Sequence, residues 1–261
     1  LVSQFALSSS VSAADAPVPQ FLRTPDGVDY AIWGEKPTSP SPTLVMFAAD
    51  MNGTLTNIDN NTIAILLKEK GFVVVALDVP CHGRDAQSGE SSGDLGAWRT
   101  RIEKGQPLMQ ETFHKTSRVL NHLIAEGYSD PLRLVVSGTS RGGFTAFHVA
   151  AAEPRFKYVI GFAPVTHLPT LAEFSGTSSD PAVLEYSAIH LAPKLADRSV
   201  WIAIGNNDVR VGTDECLDFV RELVKHSTKK NNPVPVELHL LATINHRLHA
   251  NHWGGALPDV G

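Results

Sequence analysis

The sequence predicts an α/β fold: one domain on a mostly parallel sheet of eight strands, with helices on both faces and no large lid. Three observations lead there. Apolar runs of strand length alternate with longer runs of helical periodicity, the order that a parallel sheet with crossover helices requires. Several of the strand-like runs are largely apolar, as strands covered on both faces are. A chain of 261 residues, 43% hydrophobic and 19% charged, can also bury a large core, and open sheets of this length commonly form one domain.

Taken in order, residues 20–24 and 28–33 read as the first two strands. Thr38-Ser39-Pro40-Ser41-Pro42, a short stiff turn, introduces the third at 43–48. A helix over 57–70 leads to a fourth strand at 72–77. Residues 79–106 form a connection rich in Gly and Ser, and a helix follows over 107–126. The fifth strand is 132–137, and the helix after it, 141–152, is poor in charge and therefore expected to be buried. Residues 158–162 make the sixth strand, and 163–199 a connection expected to hold small helices. The seventh strand is 200–205, a helix spans 213–229, and 236–241 alternates polar and apolar residues like the last strand of a sheet. Residues 247–253 are a candidate closing helix, and no internal repeat is visible.

Gly138-Thr139-Ser140-Arg141-Gly142 joins the fifth strand to its helix. A serine in so sharp a strand-to-helix turn takes a strained backbone that only small neighbours tolerate, and glycines two before and two after let the turn close. Chemistry at such a serine needs a carboxylate after a later strand and a histidine after the last. Asp208 follows the seventh strand in a polar turn and is the preferred acid. Asp214 and Glu215 are the alternatives, although they fall in the first turn of the next helix, where acidic residues favour the helix dipole. His246 lies one short loop beyond the last strand and is the preferred base. His249 and His252 compete, since the three histidines repeat every three residues. Without a convergent carboxylate they are not expected to bind zinc, so no metal or cofactor is predicted. His239, inside the last strand, reads as a sheet residue.

With these residues in place, the chain resembles the α/β-hydrolase superfamily, in particular dienelactone-hydrolase-like and prolyl-oligopeptidase-like esterases, over about residues 18–255. Asp78-Val79-Pro80-Cys81-His82-Gly83 resembles the family's Asp-x-x-Gly-His-Gly turn, with Cys81 in place of the first glycine. The strand at 43–48 resembles the one before the oxyanion loop, but Ala48-Ala49 replaces the usual His-Gly ahead of Asp50-Met51-Asn52-Gly53. The resemblance implies a serine hydrolase that cleaves a small carboxylic ester through an acyl-enzyme, with Ser140, His246 and Asp208 as triad. An acetylated or feruloylated carbohydrate is one such ester. The expected oxyanion donors are the backbone amide of Arg141 and one from the Asp50-Met51 loop. The Arg141 side chain is expected to pair with a neighbouring carboxylate, and the alternative is an acidic substrate group. Trp98 and Phe174, in the two long connections, are pocket candidates at a shallow, open site. A peptidase or amidase of the same fold, and an inactive binding module, are the alternative functions.

A formal net charge of −5 with no long run of Lys or Arg argues against nucleic acid or an anionic membrane as partner, leaving a small-molecule ester. Cys81 and Cys216 are the two cysteines. They follow the fourth and seventh strands, too far apart to bridge, and are expected to be free. Residues 1–16 are rich in Ser and Ala and carry the small-x-small patterns Val11-Ser12-Ala13 and Ala14-Asp15-Ala16. They read as a signal-peptide remnant, which would make the protein secreted or periplasmic, or as a disordered extension before a domain over 17–261.

Overall fold

The computed structural model describes residues 18–90, 93–243 and 246. The strands are β1 (Pro19–Arg23), β2 (Asp29–Trp33), β3 (Ser41–Phe47), β4 (Val73–Ala76), β5 (Ser129–Thr139), β6 (Phe156–Phe162), β7 (Ser199–Gly205) and β8 (Val236–Leu241). They form one sheet in the order β1-β2-β4-β3-β5-β6-β7-β8. β2 runs antiparallel to both β1 and β4, and every other neighbouring pair is parallel. This is the α/β-hydrolase fold. β4, Val-Val-Val-Ala, is buried throughout, as a strand covered on both faces must be, whereas no residue of β8, at the edge, is fully buried.

The helices are α1 (Met51–Thr56), α2 (Ile58–Glu69), α3 (Gly96–Glu103), α4 (Gln110–Ala125), α5 (Arg141–Ala152), α6 (Pro181–Leu184), α7 (Ala192–Leu195) and α8 (Thr213–Ser227). The connection from β3 to β4 moves toward β1, whereas that from β5 to β6 moves the other way. Because parallel crossovers are right-handed, these opposite directions put α2 and α5 on opposite faces. β3 and β5 are neighbours in the sheet, so their outgoing loops part at their C-terminal ends and leave a crevice between them. In open α/β sheets such a switch point is where ligands bind.

Two helices depart from the sequence reading. Residues 51–56, expected as loop, form α1, whose N-terminus is capped by the Asp50 side chain accepting from the Gly53 amide at 2.9 Å. Residues 96–103, inside the Gly- and Ser-rich connection, form α3. The connection over 163–199 carries the small helices expected of it. No described helix is long and apolar enough to cross a membrane. Residues 1–16, and the proposed closing helix over 247–253, lie outside the described residues.

Candidate active site

Ser140 stands between β5 and α5 with φ 55° and ψ −116°, a conformation that costs a non-glycine residue about 1–3 kcal/mol. Hydrogen bonds hold it there. Its amide donates to the Phe162 carbonyl at 2.8 Å, and its own carbonyl accepts from Gly143, Phe144 and Val165 at 3.0–3.2 Å. The flanking glycines are required by contact. A Cβ on Gly138 would sit 2.0 Å from the Gly142 oxygen, and one on Gly142 would sit 1.8 Å from the Phe47 oxygen at the end of β3. Gly138 therefore lets the turn close on itself, and Gly142 lets it press against the end of β3. Behind it, nine of the twelve residues of α5 are buried, which anchors the turn from the helix side.

Asp208 lies in the loop that β7 feeds, and it is fully buried. Its Oδ1 accepts from the Arg210 and Val211 amides at 3.0 and 3.2 Å, and its Oδ2 faces His246 Nδ1 at 2.8 Å. His246 Nε2 lies 2.9 Å from Ser140 Oγ. With Nδ1–H donating to the carboxylate, Nε2 is left as the acceptor for the serine hydroxyl. Burial pushes the Asp208 pKa up, but the His246 hydrogen bond and charge and the two amides outweigh it, leaving the carboxyl below its usual range. Thr213, not singled out in the sequence, braces this loop: its hydroxyl accepts from the Asp208 amide at 2.9 Å and donates to the Gly205 carbonyl at 2.7 Å. Asp214 and Glu215 occupy the first turn of α8. His239 stacks on Trp201 at 4.9 Å between ring centroids, as a sheet residue. His249 and His252 lie outside the described residues.

The β3 loop divides the two expected oxyanion residues. The Met51 amide donates to Asp78 Oδ1 at 2.6 Å, so it is engaged and unsuited to receive a substrate oxygen. The Asp50 amide and the Arg141 amide have no acceptor among the described residues. These two are the donors the geometry leaves open, and the expectation for Met51 is corrected accordingly. Asp78 explains the Asp78–Gly83 turn, since it also accepts from the Arg84 amide at 2.8 Å and ties that turn to the β3 loop. Burial raises its pKa in spite of these bonds. Cys81, at φ 63°, takes the left-handed position where the family carries glycine. Both cysteines are free and buried, and burial pushes each thiol up to about 12, far from a reactive thiolate.

Trp98 and Phe174 do not line a pocket. Both are fully buried. Trp98 is on α3, where its ring nitrogen donates to the Pro80 carbonyl at 2.7 Å and its indole packs against Phe144. Aromatic area in these connections serves the core. The Arg141 side chain also departs from expectation: it meets no carboxylate among the described residues, and instead donates to the Gly93 carbonyl at 2.7 Å and contacts His82 Nε2.

Residues 59–253 match the model of the prolyl oligopeptidase family. The chain belongs to that family. It accordingly shares that family's α/β-hydrolase fold. Among solved structures it is similar to the acylaminoacyl peptidase of Pyrococcus horikoshii, with a TM-score of 0.63 and 16% identity over 88% of this chain. It spans 37% of that peptidase's length. An acetyl xylan esterase from a Paenibacillus species gives a TM-score of 0.63 and 18% identity over 90% of this chain and 79% of the esterase. A candidate dienelactone hydrolase from Klebsiella pneumoniae gives 0.59 and 14%, over 89% and 87%. At these identities the likeness is one of fold. No curated protein matches the chain.

Proposed function

We propose that the protein is a serine hydrolase, a carboxylesterase acting on small esters through an acyl-enzyme. The observation that carries the reading is the unbroken hydrogen-bond line from Asp208 through His246 to Ser140, at 2.8 and 2.9 Å. Ser140 Oγ attacks the ester carbonyl while His246 Nε2 takes its proton, and the buried Asp208 carboxylate stabilises the imidazolium that forms. The carbonyl oxygen becomes an anion and is met by the Asp50 and Arg141 amides. The leaving alcohol then takes the proton from Nε2, and a water repeats the cycle in reverse to release the acid. The esterase neighbour, matched over most of both chains, supports an ester as the acyl donor. Acetylated and feruloylated carbohydrates are the esters to try first.

The test is a panel of esters of graded acyl length, each paired with its amide. Ester turnover is expected, falling by about a factor of a million in Ser140→Ala. Parental turnover in a well-folded Ser140→Ala protein would remove the assignment. Amides cleaved as fast as their esters would replace it with the peptidase reading.

A further inference from the structure

Arg141 combines three properties that no other arginine among the described residues shares. It follows Ser140 directly, it is partly buried, and no carboxylate of the described residues lies within 4.0 Å of it. Arg99, Arg101, Arg118, Arg155, Arg198 and Arg210, the other buried or partly buried arginines among the described residues, each hold an acidic partner. Glu173 is close enough to be felt by Arg141, but both its oxygens are taken by Arg210 at 2.7 Å. Asp94 is exposed and accepts from the Gly96 amide. Burial, and then the Arg210 charge, lower the Arg141 pKa, as happens to a cation short of counter-charge.

The side chain is nevertheless held in place. His82 is buried, and its Nδ1–H donates to the Pro80 carbonyl at 2.8 Å, which leaves Nε2 to accept from Arg141 Nη1. The same Nη1 donates to the Gly93 carbonyl. One edge of the guanidinium is thereby fixed by the β4 loop. Nε and Nη2 make no hydrogen bond to the described residues, and they are not among the polar atoms sealed from solvent without a partner. A planar fork pinned on one side and open on the other, on the residue next to the nucleophile, has the donor geometry of a carboxylate receptor.

Resting on the esterase reading, we propose that Arg141 selects substrates by charge: the preferred ester carries a second, ionised carboxylate, which takes the open edge of the guanidinium.

Matched pairs test this: mono(4-nitrophenyl) glutarate against 4-nitrophenyl valerate, which share a leaving group, for a charge on the acyl side, and 3-acetoxybenzoate against 3-acetoxybenzamide, which share the acetyl group, for one on the alcohol side. In at least one pair the parent enzyme should favour the anion in kcat/KM by about tenfold or more, and less so as salt is raised. The ratio should collapse in Arg141→Met and persist in part in Arg141→Lys, whatever happens to the neutral rate. Where a variant fails to fold, a parent without the anion preference still overturns the inference. Equal or faster turnover of the neutral ester in both pairs overturns the inference and leaves the esterase reading intact, as does an anion preference that survives in folded Arg141→Met. No Ser140-dependent turnover of any of the four esters would refute the esterase reading and this inference with it.

Discussion

At the scale of single residues, the backbone of Ser140 stores free energy that the rest of the turn supplies. Four backbone hydrogen bonds and the close approach of Gly142 to Phe47 hold it at φ 55°. Ser140→Ala removes the hydroxyl but keeps the strain, whereas Ser140→Gly removes both. Urea unfolding should therefore find Ser140→Gly more stable than Ser140→Ala by about 1 kcal/mol, the relief being offset in part by glycine's entropy in the unfolded chain. Equal stability, or a less stable glycine variant, would mean that the turn is not strained. The neighbouring carboxylates play separate parts. Asp208 serves the imidazole, while Asp78, after β4 and four strands from β7 in the sheet, holds the β3 loop by taking the Met51 amide.

At the scale of elements, β5, the serine turn and α5 carry their own signal, and the reading of residues 138–152 from sequence matches the structure closely. Everything needed to define that unit is local: an apolar strand, glycines at fixed offsets and a helix poor in charge. β8 and the seventh strand were equally legible from alternation and apolar continuity. α1 was not, because Asn52, Gly53 and the threonines favour turns over helices, and only the Asp50 cap and packing on the sheet settle it. Trp98 and Phe174 were misplaced for a related reason. An aromatic in a long connection looks the same in sequence whether it faces substrate or core, and the partners that decide for Trp98, Pro80 and Phe144, lie 18 and 46 residues away. Within α5, His148 makes a further prediction. Its Nδ1 bonds to the Phe144 carbonyl at 2.9 Å, its ring stacks on Phe144, and burial lowers its pKa to about 4 from a reference of 6.5. Between those values the unfolded chain binds the proton and the folded chain does not, so stability is full above about pH 6.5 and is lost as pH falls toward 4. Unfolding followed over that range should show a loss on the order of 3 kcal/mol in the parent that is reduced in His148→Phe. An identical acid profile in the two proteins would show that this histidine is not the group responsible.

At the scale of the whole molecule, the site exists because the crossovers leaving β3 and β5, parallel neighbours in the sheet, run in opposite directions. The β3 loop offers the Asp50 amide, the β5 turn offers Ser140 and the Arg141 amide, and the loops after β7 and β8 bring Asp208 and His246 from residues far along the chain. The β4 loop reaches the same crevice and is fastened from below by Arg101 on α3, a buried guanidinium paired with Asp85 and Glu90 at 2.9 and 2.6 Å. Chain order was enough to nominate the triad, but which amide is open, and where Arg141 points, depend on contacts between loops that sequence spacing does not encode. The central claim is that these loops make Ser140 a nucleophile, and covalent labelling reads that most directly. After brief exposure to a fluorophosphonate, intact-mass and peptide mass spectrometry should find one adduct, on Ser140, formed far more slowly in His246→Ala and absent in Ser140→Ala. An unlabelled folded parent, or an adduct of equal yield in folded Ser140→Ala, would contradict it.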